Sequence, residues 1–349
     1  MTNRCSTSDT GRDDLALTVV CPVFNEAANI DEVVDRLRGQ THTNWRVVFA
    51  DGRSTDDTKA RLNQLASEDD RIVVIDNPKR LQSAGLNAAL LHCDTDLVVR
   101  IDGHSFLEPD YLERVAGLML DIDAAVVGGR MVPRPAPGMV AQAIAVANQA
   151  SWGAGPGRFH HDGEPGPVDT VYLGSFRRAW LDKVGGWAED VGVNEDYELN
   201  YRIRQAGGTV WLDPSLQVGY EPRTRLSAVA KQYHRYGKSK LTVMRRHPAS
   251  AQPRQLAPAA GPIVLGLATL IGWPAATWRV PLALLGGHYA LLLALAARAS
   301  KRLAIPAAAA AWLMHWSWAT GFWSAVIRPI PPAGLDTDSP TLISSEVDA

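Results

Sequence analysis

From Leu17 onward, short runs rich in β-branched residues alternate with longer amphipathic runs, and no other feature constrains the fold of this 349-residue chain as tightly. Strands are predicted at 17–24, 45–50, 72–75, 97–101 and 124–127, with helices on apolar spacing at 26–38, 55–67, 83–92 and 109–120. Such alternation builds βαβ units around a largely parallel sheet, an open Rossmann-like α/β sandwich. Ligands of such sheets sit beyond the carboxyl ends of the strands. The residues there are Pro22, Asn25 and Glu26 after the first strand, DGRSTDD (51–57) after the second, Asp76 and Asn77 after the third, and Asp102, Gly103 and His104 after the fourth. Most are carboxylates or amides.

The sequence has no GxGxxG after the first strand and no GxxxxGK[ST] anywhere, which argues against a dinucleotide enzyme or a P-loop nucleotidase. An acidic crevice holds phosphate by another device. A divalent cation with hard oxygen ligands neutralises a pyrophosphate that the carboxylates would otherwise repel.

The formal charge of −2 conceals a segregation. Residues 1–221 carry a net −12, residues 222–254 have nine basic side chains and no acidic one, and residues 255–349 are nearly neutral. An acidic domain with one short basic collar leads to no expectation of a nucleic-acid partner. Cys5, Cys21 and Cys93 have no metal-ligand spacing, and they form neither a disulfide framework nor a zinc site. Beyond the collar lie three charge-free stretches, 256–278, 280–297 and 303–327, each long enough on its own to cross ~30 Å of hydrocarbon. Six of the eleven tryptophans fall in this tail, several where interfacial anchors belong. The alternative is a set of buried helices, which the alanine run 307–311 would suit. With the collar and Arg298, Lys301 and Arg302 on the cytoplasmic side, the acidic domain is expected to be cytoplasmic and the chain multi-pass in the cell membrane. The N-terminus has no apolar export segment before residue 15. The divisions expected are a polar tail at 1–16, a catalytic domain at 17–225, a basic interfacial helix region at 226–255, membrane helices at 256–328 and a polar tail at 329–349.

Three motifs, VVCPVFNEAANI at the first strand, FADGRSTDDT at the second and RIDGHS at the fourth, resemble the nucleotide-sugar half of family-2 glycosyltransferases, which have the GT-A fold. GSFRRAWLDKVGGW, NEDYELNYRIRQAGG and QYHRY resemble the acceptor half in the same order, and the combination with a short membrane tail is similar to succinoglycan-type polysaccharide glycosyltransferases. The resemblance implies an inverting enzyme that moves a sugar from a nucleotide-diphosphate sugar to a membrane-held glycan or lipid-linked acceptor. It places Asp51 on the base and ribose of the donor, with Pro22, Asn25 and Glu26 lining the same pocket. Asp102 and His104 fall on the family's Asp-x-Asp metal motif with histidine in place of the second acid. Imidazole favours transition metals, so the implied cation is Mn²⁺ over Mg²⁺. Asp196, second acid of the Glu195-Asp196 pair, takes the role of general base. Gln232, Arg235 and Tyr236 match Gln-x-x-Arg-Trp with tyrosine last, Arg235 supplying charge to the leaving group and Tyr236 stacking on the acceptor.

Each motif has a plainer reading. Asp102-Gly103 is a common turn dipeptide. Glu195 and Asp196 could complement the dipole of a helix over 197–205 capped by Asn194. Lys231, Arg235, Lys238, Lys240, Arg245 and Arg246 could meet anionic headgroups. Residues 153–167, with His160 and His161, read as a surface loop or a lid. His288 and His315 are expected to bond a neighbouring helix. Two other functions remain open on sequence: direct transfer to a polyprenyl phosphate, as in dolichyl-phosphate-mannose-synthase-like proteins, and a non-catalytic membrane-tethered nucleotide-sugar-binding protein.

Overall fold

A computed structural model describes residues 15–272 and 279–327. Cys5, most of the expected N-terminal tail, the end of the first apolar stretch and the C-terminal tail lie outside these described residues. Strands β1 (Leu17–Val23), β2 (Trp45–Asp51), β3 (Ile72–Asp76) and β4 (Leu97–Arg100) alternate with helices α1 (Ile30–Arg38), α2 (Thr58–Glu68) and α3 (Gln82–Leu90). They pair in parallel, with Val23 opposite Asp51, Asp51 opposite Asp76 and Val20 opposite Arg100. All seven residues of β1 are buried, because helices cover both faces of the parallel half. Helix α1 turns Ile30, Val33, Val34 and Leu37 inward at i, i+3, i+4 and i+7. Each such side chain contributes roughly 1.5–3 kcal/mol when fully buried.

The second half of the sheet departs from the parallel expectation. After β5 (Phe106–Leu107) and α4 (Tyr111–Asp121) come β6 (Val126–Pro133), α5 (Met139–Asn148), β7 (Gly166–Pro167), β8 (Tyr172–Arg177), α6 (Arg178–Val184), α7 (Glu195–Gln205) and β9 (Val210–Tyr220). The sheet order is β3-β2-β1-β4-β8-β6-β9-β5, with β7 beside β9, and the pairs β4/β8, β6/β8, β5/β9 and β7/β9 are antiparallel. The architecture is therefore a mixed α/β sheet. Helix α1 also starts four residues later than its apolar spacing predicts. Asn25 sits at φ 54°, and the amides of Glu26 and Ala27 bond Thr58 Oγ1 and Asp56 Oδ2, drawing this segment toward the loop after β2.

The chain divides into two compact units. The first comprises the sheet, residues 15–132 and 162–220 of those described; the second takes 133–161 and 221–327. The sequence reading did not separate 133–161 from the catalytic domain. In the second unit α5 packs with α8 (Leu226–Arg246), α10 (Arg279–Ala299) and α11 (Ala304–Ile327) around Ile144, Val229, Leu292, Ala307, Ala311 and Met314. A further helix, α9 (Pro253–Gly272), contains Pro258 and Pro262. Among the described residues one helix, Arg279–Ala299, is long and apolar enough to cross a membrane by length and composition, with mean hydropathy 1.8 and 11% of its apolar window buried. In the alanine run of α11, Ala307, Ala308, Ala310 and Ala311 are buried. His288 Nε2 and His315 Nδ1 lie 3.2 Å apart, a contact between α10 and α11, and His315 Nε2 lies 3.1 Å from the carbonyl of Gly153.

Candidate active site

Parallel pairing brings the carboxyl ends of β3, β2, β1 and β4 to one edge of the first unit. The chain runs from β1 to β2 on one side and places β4 on the other, so the topological switch lies beside β1, where crevices of α/β sheets form. Asn25 and Glu26 flank it from β1, and Asp102 and His104 follow β4. Asn25 ties two rim loops together: its amide N–H donates to Ser54 Oγ at 3.0 Å and its Oδ1 accepts from Thr55 N at 2.8 Å. Pro22 lies within β1, opposite Ala50 of β2. Asp51 is fully buried at the end of β2, where its carboxylate accepts from Ser54 N and its carbonyl from Asn77 N.

Glu26 links two of the rim segments. It is fully buried, its Oε2 accepts from Asn29 Nδ2 at 2.7 Å, and its Oε1 lies 3.0 Å from His104 Nδ1. A carboxylate at that nitrogen selects the tautomer with the proton on Nδ1. Gly103 permits the arrangement, since a Cβ there would stand 2.9 Å from Glu26 Cγ and 3.0 Å from Val23 Cγ1. Asp102-Gly103-His104 is thus a turn, as its plainer reading held, and one whose histidine is oriented from below. Beneath it, burial together with nearby Asp102 and Glu26 pushes the Cys21 thiol well above its ordinary pKa, so this cysteine is a packed, neutral group.

Asp102 and the distant pair Glu195-Asp196 meet on Arg100, to which the sequence reading gave no role. This side chain, 3% exposed, donates through Nη2 to Asp102 Oδ1 at 3.4 Å and through Nη1 to Glu195 Oε1 at 3.0 Å and to Asp196 Oδ1. Gln82 Nε2 also donates to Asp102 Oδ1, at 3.0 Å, and Trp187 Nε1 to Asp196 Oδ1, at 3.2 Å. Trp187 is fixed in turn by Asn87, which accepts from its N–H and donates to its carbonyl, both at 2.8 Å. A signal for Arg100 was present. An arginine inside an apolar strand is nearly obliged to meet acids from elsewhere, because a buried charge without partners is prohibitively costly.

Burial raises Asp196 above the usual carboxylate range; Arg100 opposes the shift and Asp102 adds to it. Burial likewise pushes Glu195 up to about 7 against the pull of Arg100, with Asp196 adding to the rise. Both acids occupy the first turn of α7, but Asn194 makes no side-chain capping bond there. They do more than complement a helix dipole. Gln232, Arg235 and Tyr236 lie on α8 of the second unit, all half-buried, with Gln232 Nε2 donating to Tyr236 Oη at 2.9 Å. Lys240 is 6% exposed, which removes it from any headgroup-facing set. Of the segment 153–167, residues 158–160 form a turn of 3-10 helix and Gly166–Pro167 pairs with β9, so part of the expected loop is ordered structure.

Four parallel strands that pass into an antiparallel half, with acids along the parallel edge, make up the sheet of the GT-A glycosyltransferases, and this chain is of that class. The family model described as "Glycosyl transferase family 2" matches residues 18–185. The succinoglycan biosynthesis protein ExoA of Rhizobium meliloti (strain 1021) is 35% identical over 330 residues, spanning 90% of this chain and 97% of that protein. The chain belongs to glycosyltransferase family 2. A pre-mycofactocin glycosyltransferase of Mycobacterium tuberculosis is 27% identical over 68% of this chain, which matches 49% of its length. In fold, the chain resembles the mannosyltransferase PcManGT from Pyrobaculum calidifontis, solved in complex with GDP-Man and Mn²⁺, with a TM-score of 0.58 and 20% identity over 89% of this chain and 90% of that one. Membership of this family displaces the non-catalytic reading: the chain is a glycosyltransferase.

Proposed function

We propose that this glycosyltransferase moves a sugar, with inversion at its anomeric carbon, from a nucleoside-diphosphate sugar to a glycan or lipid-linked acceptor at a membrane, in polysaccharide or glycoconjugate synthesis. One observation carries the reading. Asp102 and Asp196 each bond Arg100 through Oδ1, and in each the second oxygen, Oδ2, is outside every hydrogen bond among the described residues. Asp196 Oδ2 is the base: it takes the proton of the acceptor hydroxyl as that oxygen bonds to the anomeric carbon. The bond from that carbon to the diphosphate breaks, and the nucleoside diphosphate leaves with the electron pair. A carboxylate whose pKa burial raises is a stronger base than an exposed one, and a positioned base contributes roughly 10²–10⁴-fold.

The donor chemistry on this rim fits a divalent cation that arrives with its substrate. Asp102 and His104 would hold it, one through a carboxylate and one through imidazole. An ion held by two side chains would take its remaining ligands from diphosphate and water. When bound it would neutralise the leaving diphosphate, and the imidazole favours Mn²⁺ over Mg²⁺. Asp51, Pro22, Asn25 and Glu26 form the base and ribose side of the donor pocket in this reading. Gln232, Arg235 and Tyr236 carry their roles on the family motif alone. The name of the succinoglycan relative supports polysaccharide synthesis, and the apolar helix Arg279–Ala299 supports a membrane-held acceptor. The chain is read as multi-pass in the cell membrane with its sheet unit in the cytoplasm.

Replacing Asp196 by Asn tests the base. Release of nucleoside diphosphate from the donor, measured with membrane extract as acceptor, is expected to fall by at least 10²-fold while Mn²⁺-nucleotide binding stays within a few-fold. Near-normal turnover in this variant would remove Asp196 from the mechanism.

A further inference from the structure

We infer that Arg100 is a positioning residue that couples the donor side of the site to its base, by holding one oxygen each of Asp102, Glu195 and Asp196 and thereby fixing which oxygen of each aspartate meets substrate. The inference rests on the reading of Asp196 as base and goes beyond it, since none of the three acceptor-half motifs contains Arg100.

The geometry is specific to a guanidinium. Nη1 and Nη2 of one planar fork serve acids that lie 2, 95 and 96 residues after Arg100 along the chain. A lysine ammonium has three donors on a flexible stem and cannot span the same three carboxylates in a fixed plane. Trp187 Nε1 and Gln82 Nε2 reinforce the same choice of oxygen, Oδ1, on Asp196 and Asp102 respectively. Two donors on Oδ1 of each aspartate leave Oδ2 as the lone proton acceptor on Asp196 and the lone outward ligand on Asp102. Arg100 itself has no exposed face for substrate: it is 3% exposed and its Nε is buried with no hydrogen-bond partner. It therefore acts through the aspartates.

The test uses the full chain in detergent with Arg100→Lys, Arg100→Gln and Arg100→Ala, measuring kcat, donor KM, binding of Mn²⁺-nucleoside diphosphate and the melting temperature. Arg100→Lys is expected to stay folded with donor KM within about threefold of the parent, and kcat down about 10²-fold, the scale of misplacing a catalytic group by an ångström. Methylguanidinium added to Arg100→Ala is expected to restore part of kcat, which a purely structural role would not allow. Full kcat in Arg100→Lys overturns the inference. So does a variant that loses nucleotide binding in proportion to kcat, since Arg100 would then act on the donor alone. If Arg100→Gln and Arg100→Ala fail to fold, Arg100→Lys decides. The Asp196→Asn result stands separately: activity there sinks the base assignment whatever Arg100 does.

Discussion

Glu26 illustrates how a residue of one family motif can be tied to a residue of another. Its carboxylate meets both Asn29 and His104. Replacing it by the isosteric Gln removes the negative charge that fixes the histidine tautomer and raises the basicity of Nε2. Loss of such a partner typically costs 10–100-fold in metal affinity. Glu26→Gln is therefore expected to raise the Mn²⁺ concentration for half-maximal activity by about tenfold or more, with the melting temperature changed by only a few degrees. An unchanged Mn²⁺ titration would separate His104 from the cation. Arg100 is the opposite case, a residue whose charge in mid-strand announced partners that no local pattern could name.

At the scale of elements, the crossing of α8 and α11 determines the frame of the helix that carries Gln232, Arg235 and Tyr236. A Cβ on Gly237 would stand 2.0 Å from the carbonyl oxygen of Trp318, and one on Gly321 2.0 Å from that of His234. The two backbones touch, as helices with small residues at their crossing do. Alanine at position 237 has no flexible neighbour to push aside, because the obstacle is main chain. Gly237→Ala is expected to destabilise the second unit by about 1–3 kcal/mol, the usual scale of overpacking, and to lower the detergent melting temperature. A melt equal to the parent's would show that the crossing yields easily. Elements also explain where the sheet outran its sequence pattern. The strands β1 to β4 lie between helices and read as continuous apolar runs, whereas β8 and β9 mix polar and apolar residues, with Asp213 and Pro214 inside β9. Antiparallel pairing is decided by partners far along the chain, and a window of ten residues does not contain them.

The whole molecule combines an acidic sheet unit with an apolar helical one, and charge segregation made that division legible before any coordinates. The placement of 133–161 in the helical unit was not legible, because α5 is an alanine-rich amphipathic run that could cover a sheet equally well. Exposed Leu282, Leu284 and Leu291 on α10 leave apolar surface outward, which a hydrocarbon environment satisfies and water does not. In a cell fractionation the chain is expected in the membrane pellet, resistant to carbonate and high-salt extraction, with residues of the sheet unit labelled only from the cytoplasmic face. Release by salt alone would reduce the attachment to the basic collar.

Sequence alone determined the parallel strands and the acids at their ends, because apolar periodicity and the carboxyl-edge rule are local properties of a βαβ chain. It also determined that the tail is apolar and its collar basic. Only the tertiary structure decided that Asp102 and Asp196 share one buried guanidinium, that Glu26 serves His104, and that half the sheet is antiparallel. Each of these depends on side chains or strands brought together over long sequence separations, where the low dielectric of the interior forces charges to find one another and no local pattern records which will meet.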